Sequence, residues 1–102
     1  MEPIVIDLEE YKILKEMTYR AFGMKMKNIL GAMFGNQKAS LTVKGSKREV
    51  DSFLTALASE KKYMTAYLAH GLSDPRTLSN KAKLSNSVKK FERETGIKWP
   101  FK

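Results

Sequence analysis

Lys89, Lys90 and Arg93, with Lys98 and Trp99 close behind them, bring cations and an indole together in the last part of the chain. Lysine and arginine pair with phosphates and an aromatic face stacks on a base, so this mixture is the chemistry a nucleic-acid contact needs. Phe91 and Phe101 interleave with the cations, and Lys81 and Lys83 extend them toward the N-terminus. The plain alternative is that Phe91, Trp99 and Phe101 are packing residues and the lysines a solvated face, because aromatics at alternate positions usually pack. Lys25, Lys27, Lys38 and Lys44 form an earlier block. Lysines on a strand or turn can track a phosphate backbone, or can guard a strand edge against aggregation without any ligand.

Catalytic chemistry has little to draw on. His70 is the one histidine, and it precedes Gly71, where an imidazole can bond the last helical carbonyls. There is no cysteine, hence no thiolate nucleophile or ligand. The eleven acids are scattered and match no metal motif. Gly31 and Gly35 lack the lysine and serine or threonine of a phosphate-binding loop. Gly45-Ser46 opens a helix beside Lys44, Lys47 and Arg48, a generic anion-compatible terminus. Neither an enzyme nor a bound cofactor is expected.

Charge is unevenly placed. Residues 23–48 carry six Lys/Arg and no acid, residues 75–102 carry eight against two acids, and the two remaining segments are each net −2, which gives the total of +8. Clustered cations raise the local potential and release counterions from phosphates, so a polyanion is the expected partner class. At 102 residues, with 42% hydrophobic residues and ten aromatics, the chain fits one small domain, not a disordered basic tail. The N-terminus shows no secretory pattern and the absence of cysteine suits a reducing compartment, so a cytoplasmic location is expected. The nearly uncharged apolar run 28–37 is far short of the ~20 residues of a membrane span. Phe22–Lys38, if helical, has an apolar face flanked by lysines, but its polar face is too weakly charged for strong membrane-surface binding.

The elements that must position these residues follow from local patterns. Ile4-Val5-Ile6 reads as a strand and Asp7 as the cap of a helix in which Tyr11, Leu14, Thr18 and Ala21 recur, ending near Phe22-Gly23. Residues 24–34 fit two periods. Alternation puts Met24, Met26, Leu30, Ala32 and Phe34 on one strand face, while Phe22, Met26, Ile29, Leu30 and Met33 match a helix. The strand is favoured, because Leu41-Thr42-Val43 needs a neighbour and a turn at Gly35–Lys38 would supply an antiparallel one. Ser46 and Glu49 form a capping box for a helix whose stripe is Val50, Phe53, Leu54, Leu57, Met64, Tyr67 and Leu68, with Gly71 as left-handed stop and Leu72 as a Schellman contact. Asp74-Pro75 starts another helix that Gly96 ends, and the tail from Ile97 is apolar at every second residue, with Pro100 confining it to an edge.

The expected fold is therefore a two-layer α+β domain: an antiparallel sheet, with a 24–34/39–45 hairpin, packed against two or three helices. A ferredoxin-like topology is compatible with it. An all-α bundle is the alternative if Met24–Phe34 continues the first helix.

The C-terminal two-thirds also resembles short uncharacterised proteins of tailed bacteriophages. The matching features are Leu41-Thr42-Val43-Lys44-Gly45 before a capped helix, Glu60-Lys61-Lys62-Tyr63-Met64, Gly71-Leu72-Ser73-Asp74-Pro75-Arg76-Thr77, and the ending Phe91 to Phe101. The resemblance implies an intracellular viral accessory protein and carries over no activity or site residue.

Two functions are expected to compete. In the first, Lys81, Lys83, Lys89, Lys90 and Arg93 neutralise nucleic-acid phosphates, Lys25, Lys27, Lys44 and Lys98 extend the track, and Trp99 stacks if exposed. In the second, Met24, Met26, Met33 and Phe34 form a patch that meets another protein or a second copy in a homo-oligomer.

Overall fold

The computed structural model describes residues 4–12, 16–34 and 41–101. Ile4–Asp7 forms β1 and Leu41–Lys44 forms β2, and they pair in parallel from Ile4 opposite Leu41 to Asp7 opposite Lys44. Parallel strands need a crossover, which runs through α1 (Leu8–Tyr11) and α2 (Glu16–Phe34). Asp7 ends the strand and begins the helix, its Oδ1 accepting from the Glu9 N–H at 3.1 Å.

This arrangement corrects the antiparallel expectation. Residues 24–34 belong to α2, which runs past Phe22-Gly23 instead of stopping there. Burial decides between the two periods: Phe22, Met26, Ile29 and Leu30 are buried, whereas Met24, which alternation would have placed beside Met26, is 67% exposed. β2 did need a partner, and β1 fills that role from the other side of the crossover, leaving no 24–34/39–45 hairpin. The ferredoxin-like topology goes with it, and the molecule is mainly helical with a small parallel sheet. The Gly35–Lys38 turn and Leu14 lie outside the described residues.

The rest is an antiparallel helix pair. α3 (Lys47–His70) opens on the expected capping box: Ser46 Oγ accepts from the Glu49 N–H at 3.2 Å, and Glu49 Oε1 accepts from the Ser46 N–H at 3.1 Å. Lys12 then pairs with Glu49 Oε2 at 2.7 Å, tying the end of α1 to the start of α3. Gly71 ends α3 at φ 83°, ψ 170°, a conformation open to glycine, and donates to Tyr67 O at 2.8 Å. The expected left-handed Schellman stop does not form, since ψ at Gly71 is 170°, outside the left-handed helical region. α4 (Pro75–Thr95) starts on an Asp74 cap and ends at left-handed Gly96. Ser59 and Ser87 share a hydrogen bond of 2.9 Å across the middle of the pair.

The core sits at the base of this hairpin, away from the Gly71 turn. Phe22 from α2 reaches both Phe53 of α3 (6.3 Å between centroids) and Phe91 of α4 (6.4 Å), filling the furrow between them. Trp99 from the tail meets Phe91 edge-on at 5.3 Å and Phe53 at 6.2 Å. The tail forms no strand, but Ile97 and Trp99 are buried and Lys98 is exposed, as its alternation suggested.

Candidate nucleic-acid interface

α4 positions the strongest cationic cluster. Thr77 and Phe91 face inward, and the periodicity of 3.6 turns Lys81, Lys83, Lys89, Lys90 and Arg93 outward, where all five are exposed. Ser79, Ala82 and Asn86 lie on the same outward arc. The two acids of α4 are drawn away from it: Glu92 accepts from the Trp99 backbone N–H at 2.9 Å, and Glu94 leans toward Arg48 at 3.8 Å. None of those five cations has a hydrogen-bond or ion-pair partner among the described residues, so their charge is available to an external anion.

The earlier block is divided. Lys25 is half-buried on α2 and donates to Val5 O at 3.0 Å, with its ammonium 6.0 Å from the Tyr11 ring centroid. It braces β1 instead of joining a phosphate track. Lys27 is exposed one turn beyond Gly23, where α2 meets Pro100 of the tail, and Lys98 is exposed on that same tail. Lys44 ends β2, exposed beside Lys47 and Arg48, and the Arg48–Glu94 contact brings this corner to the C-terminal end of α4. The two basic blocks thus adjoin at the base of the hairpin, with Lys25 left out.

Trp99 requires a correction. It is fully buried, its indole N–H donating to Glu60 Oε1 at 3.0 Å and its backbone N–H to Glu92, so it has no face to offer a base. Burial pushes the Glu60 carboxyl above its ordinary pKa, and the indole hydrogen bond opposes that shift. Sequence reasoning overlooked Glu60. Its signal was present: Phe53, Leu57, Glu60 and Met64 share one helical stripe, and an acid in an apolar stripe calls for a buried donor.

Among the described residues the expected methionine patch is not contiguous, because Met26 is buried in the core while Met24 is exposed; the Phe34 side chain lies outside the described residues. An apolar surface appears elsewhere. Toward the Gly71 turn, the inner faces of α3 and α4 leave a groove of about 670 Å³ with Met64, Tyr67, Leu72, Leu84 and Val88 in its lining. Phe101 closes its core end, and Lys81 and Lys89 stand along its α4 side. On the opposite side of the pair, Lys61, Lys62, His70 and Arg76 surround a shallow depression containing Ala58, Ala66 and Ala69. Arg76 is already held by Asp74 at 3.0 and 3.1 Å. This pairing and the Arg76 backbone N–H hold the Asp74 carboxyl down at about 2.

Among the described residues, no group of three or more potential ligands could hold a metal ion, and no helix is long and apolar enough to cross a membrane. In comparisons with known proteins, no family, no curated protein and no solved structure matches this chain.

Proposed function

We propose that this chain is a small accessory protein that binds nucleic acid through phosphate contacts made by the outward face of α4, without reading base sequence. The observation that carries the reading is a broad arc of α4 with five exposed cations that have no internal partner among the described residues, the one acid within it, Glu92, being engaged by the Trp99 backbone N–H. Phe91 and Trp99 are in the core, so the contact is electrostatic and base stacking contributes nothing from this face. Lys44 and Lys98 widen the cationic end of the molecule. A cytoplasmic setting and a role in a bacteriophage belong to the same proposal, supported by the lack of cysteine and by the likeness of the C-terminal two-thirds.

The test is fluorescence-anisotropy titration of labelled single- and double-stranded DNA and RNA across a salt series. If the five cations each neutralise one duplex phosphate, log K falls against log salt with a slope of about −4.5. Lys83→Glu/Lys90→Glu removes two of them without touching the apolar groove and is expected to reduce the slope by about 2. Absence of saturable binding at low salt sinks the proposal and leaves the charge to solubility.

A further inference from the structure

The α3–α4 pair has one inner face but only half a cover. At its base, α2 lies over the furrow and drives Phe22 between Phe53 and Phe91. Beyond Phe101 the same furrow continues toward the turn with no element of the described chain on it, and there Tyr67 is 43% and Leu72 58% exposed. Exposed apolar side chains that line one continuous groove mark an interaction site, unlike the same residues scattered singly.

We infer that this groove receives an amphipathic helix, carrying acidic residues, from another protein. The cover accepted at the base is itself a helix, and the furrow between two packed helices suits an apolar helical stripe. Charge selects the kind of helix. Lys81 and Lys89 stand eight residues apart, about 12 Å along α4, so carboxylates two turns apart on the incoming helix would meet both. Of the two acids in the groove lining, Glu60 accepts from the Trp99 indole and Glu92 from the Trp99 backbone, so both are already engaged. A second copy is a poor occupant for the same reason. Glu10 and Asp51 are the acids without an internal partner among the described residues, and both lie outside the groove lining, so self-pairing would bring rim lysines together without counter-charges. The lining sets the aliphatic Met64, Leu72, Leu84 and Val88 beside the rings of Tyr63, Tyr67 and Phe101, and its aliphatic part suits leucine-like side chains.

The experiment uses the intact chain and three fluorescein-labelled synthetic peptides of about 20 residues, long enough to hold a helix. One has a leucine stripe and glutamates on its flanks, the second replaces glutamate by lysine, and the third scrambles the first. Anisotropy at near-physiological salt should show saturable binding of the acidic helix alone. Tyr67→Ser/Leu72→Ser and Lys81→Glu/Lys89→Glu should each weaken it at least about tenfold, while Lys83→Glu/Lys90→Glu leaves it within about twofold. All six side chains are exposed, and unchanged far-UV circular dichroism confirms that the variants fold. Equal binding of acidic and scrambled peptides overturns the inference. So does a dimer in sedimentation equilibrium that Tyr67→Ser/Leu72→Ser dissolves, which gives the groove to a second copy. Loss of oligonucleotide binding in that same variant overturns it in favour of nucleic acid. Because Lys83→Glu/Lys90→Glu tests the phosphate face separately, either proposal can fail alone.

Discussion

Glu60 is a carboxyl held where a carboxylate is unwelcome. Buried on α3, it accepts from the Trp99 indole, and its pKa is raised from 4.5 because burial disfavours the charge more than that hydrogen bond favours it. Folded Glu60 therefore binds a proton more tightly than the unfolded chain does. Its contribution to stability is full below pH 4.5 and is lost as pH rises through the folded value. Glu60→Gln keeps a carbonyl acceptor for the indole but has no charge to bury. Melting temperatures across the acid-to-neutral range should show the variant gaining on the native chain as pH rises, with the difference levelling off once native Glu60 is ionised. A difference that does not change with pH would remove Glu60 from the titration. The tail's alternation offered packing only as the alternative to a stacking role for Trp99, and its partner was hidden because the two positions are 39 residues apart. Only the misplaced acid in the α3 stripe hinted that a buried donor had to come from somewhere.

At the scale of elements, α3 and α4 were legible because their boundary signals are local: the Ser46–Glu49 box, Gly71, Asp74-Pro75 and Gly96 each act within a turn of the residue they cap. α2 was misread for an equally physical reason. Met26 and Leu30 satisfy both periods, and the choice rested on where β2 would find its partner, which no local pattern states. Gly31 lies on the exposed side of α2 with nothing within 4 Å of an added Cβ, so no close approach there requires a glycine. Gly31→Ala should stabilise the protein by about 0.5–1 kcal/mol through helix propensity and a less flexible unfolded chain. Urea unfolding measures it, and a loss of stability would mean that α2 does not run through this position.

For the whole molecule, the sign of the exposed charge follows from where the acids went. Asp7 and Asp74 cap helices, Glu49 closes the capping box and holds Lys12, Glu60 and Glu92 hold Trp99, and Glu94 faces Arg48. Most described acids are thus structural, while the α4 cations are left to solvent. The charge blocks in the sequence anticipated the polarity of that surface, but could not anticipate that Lys25 would turn back onto β1.

The same architecture also sets an order in time. α3 and α4 close over a turn at residues 71–74, whereas β1 and β2 come together only after residues 8–40 have been looped between them. Loop-closure entropy makes the helical hairpin the earlier event and the parallel ladder the later one. In stopped-flow chevrons, Val88→Ala between the helices should mainly slow folding, and Ile6→Val in β1 should mainly speed unfolding. The sheet is then a late latch on a preassembled hairpin, and its strength governs how long the native state survives more than how fast it is reached.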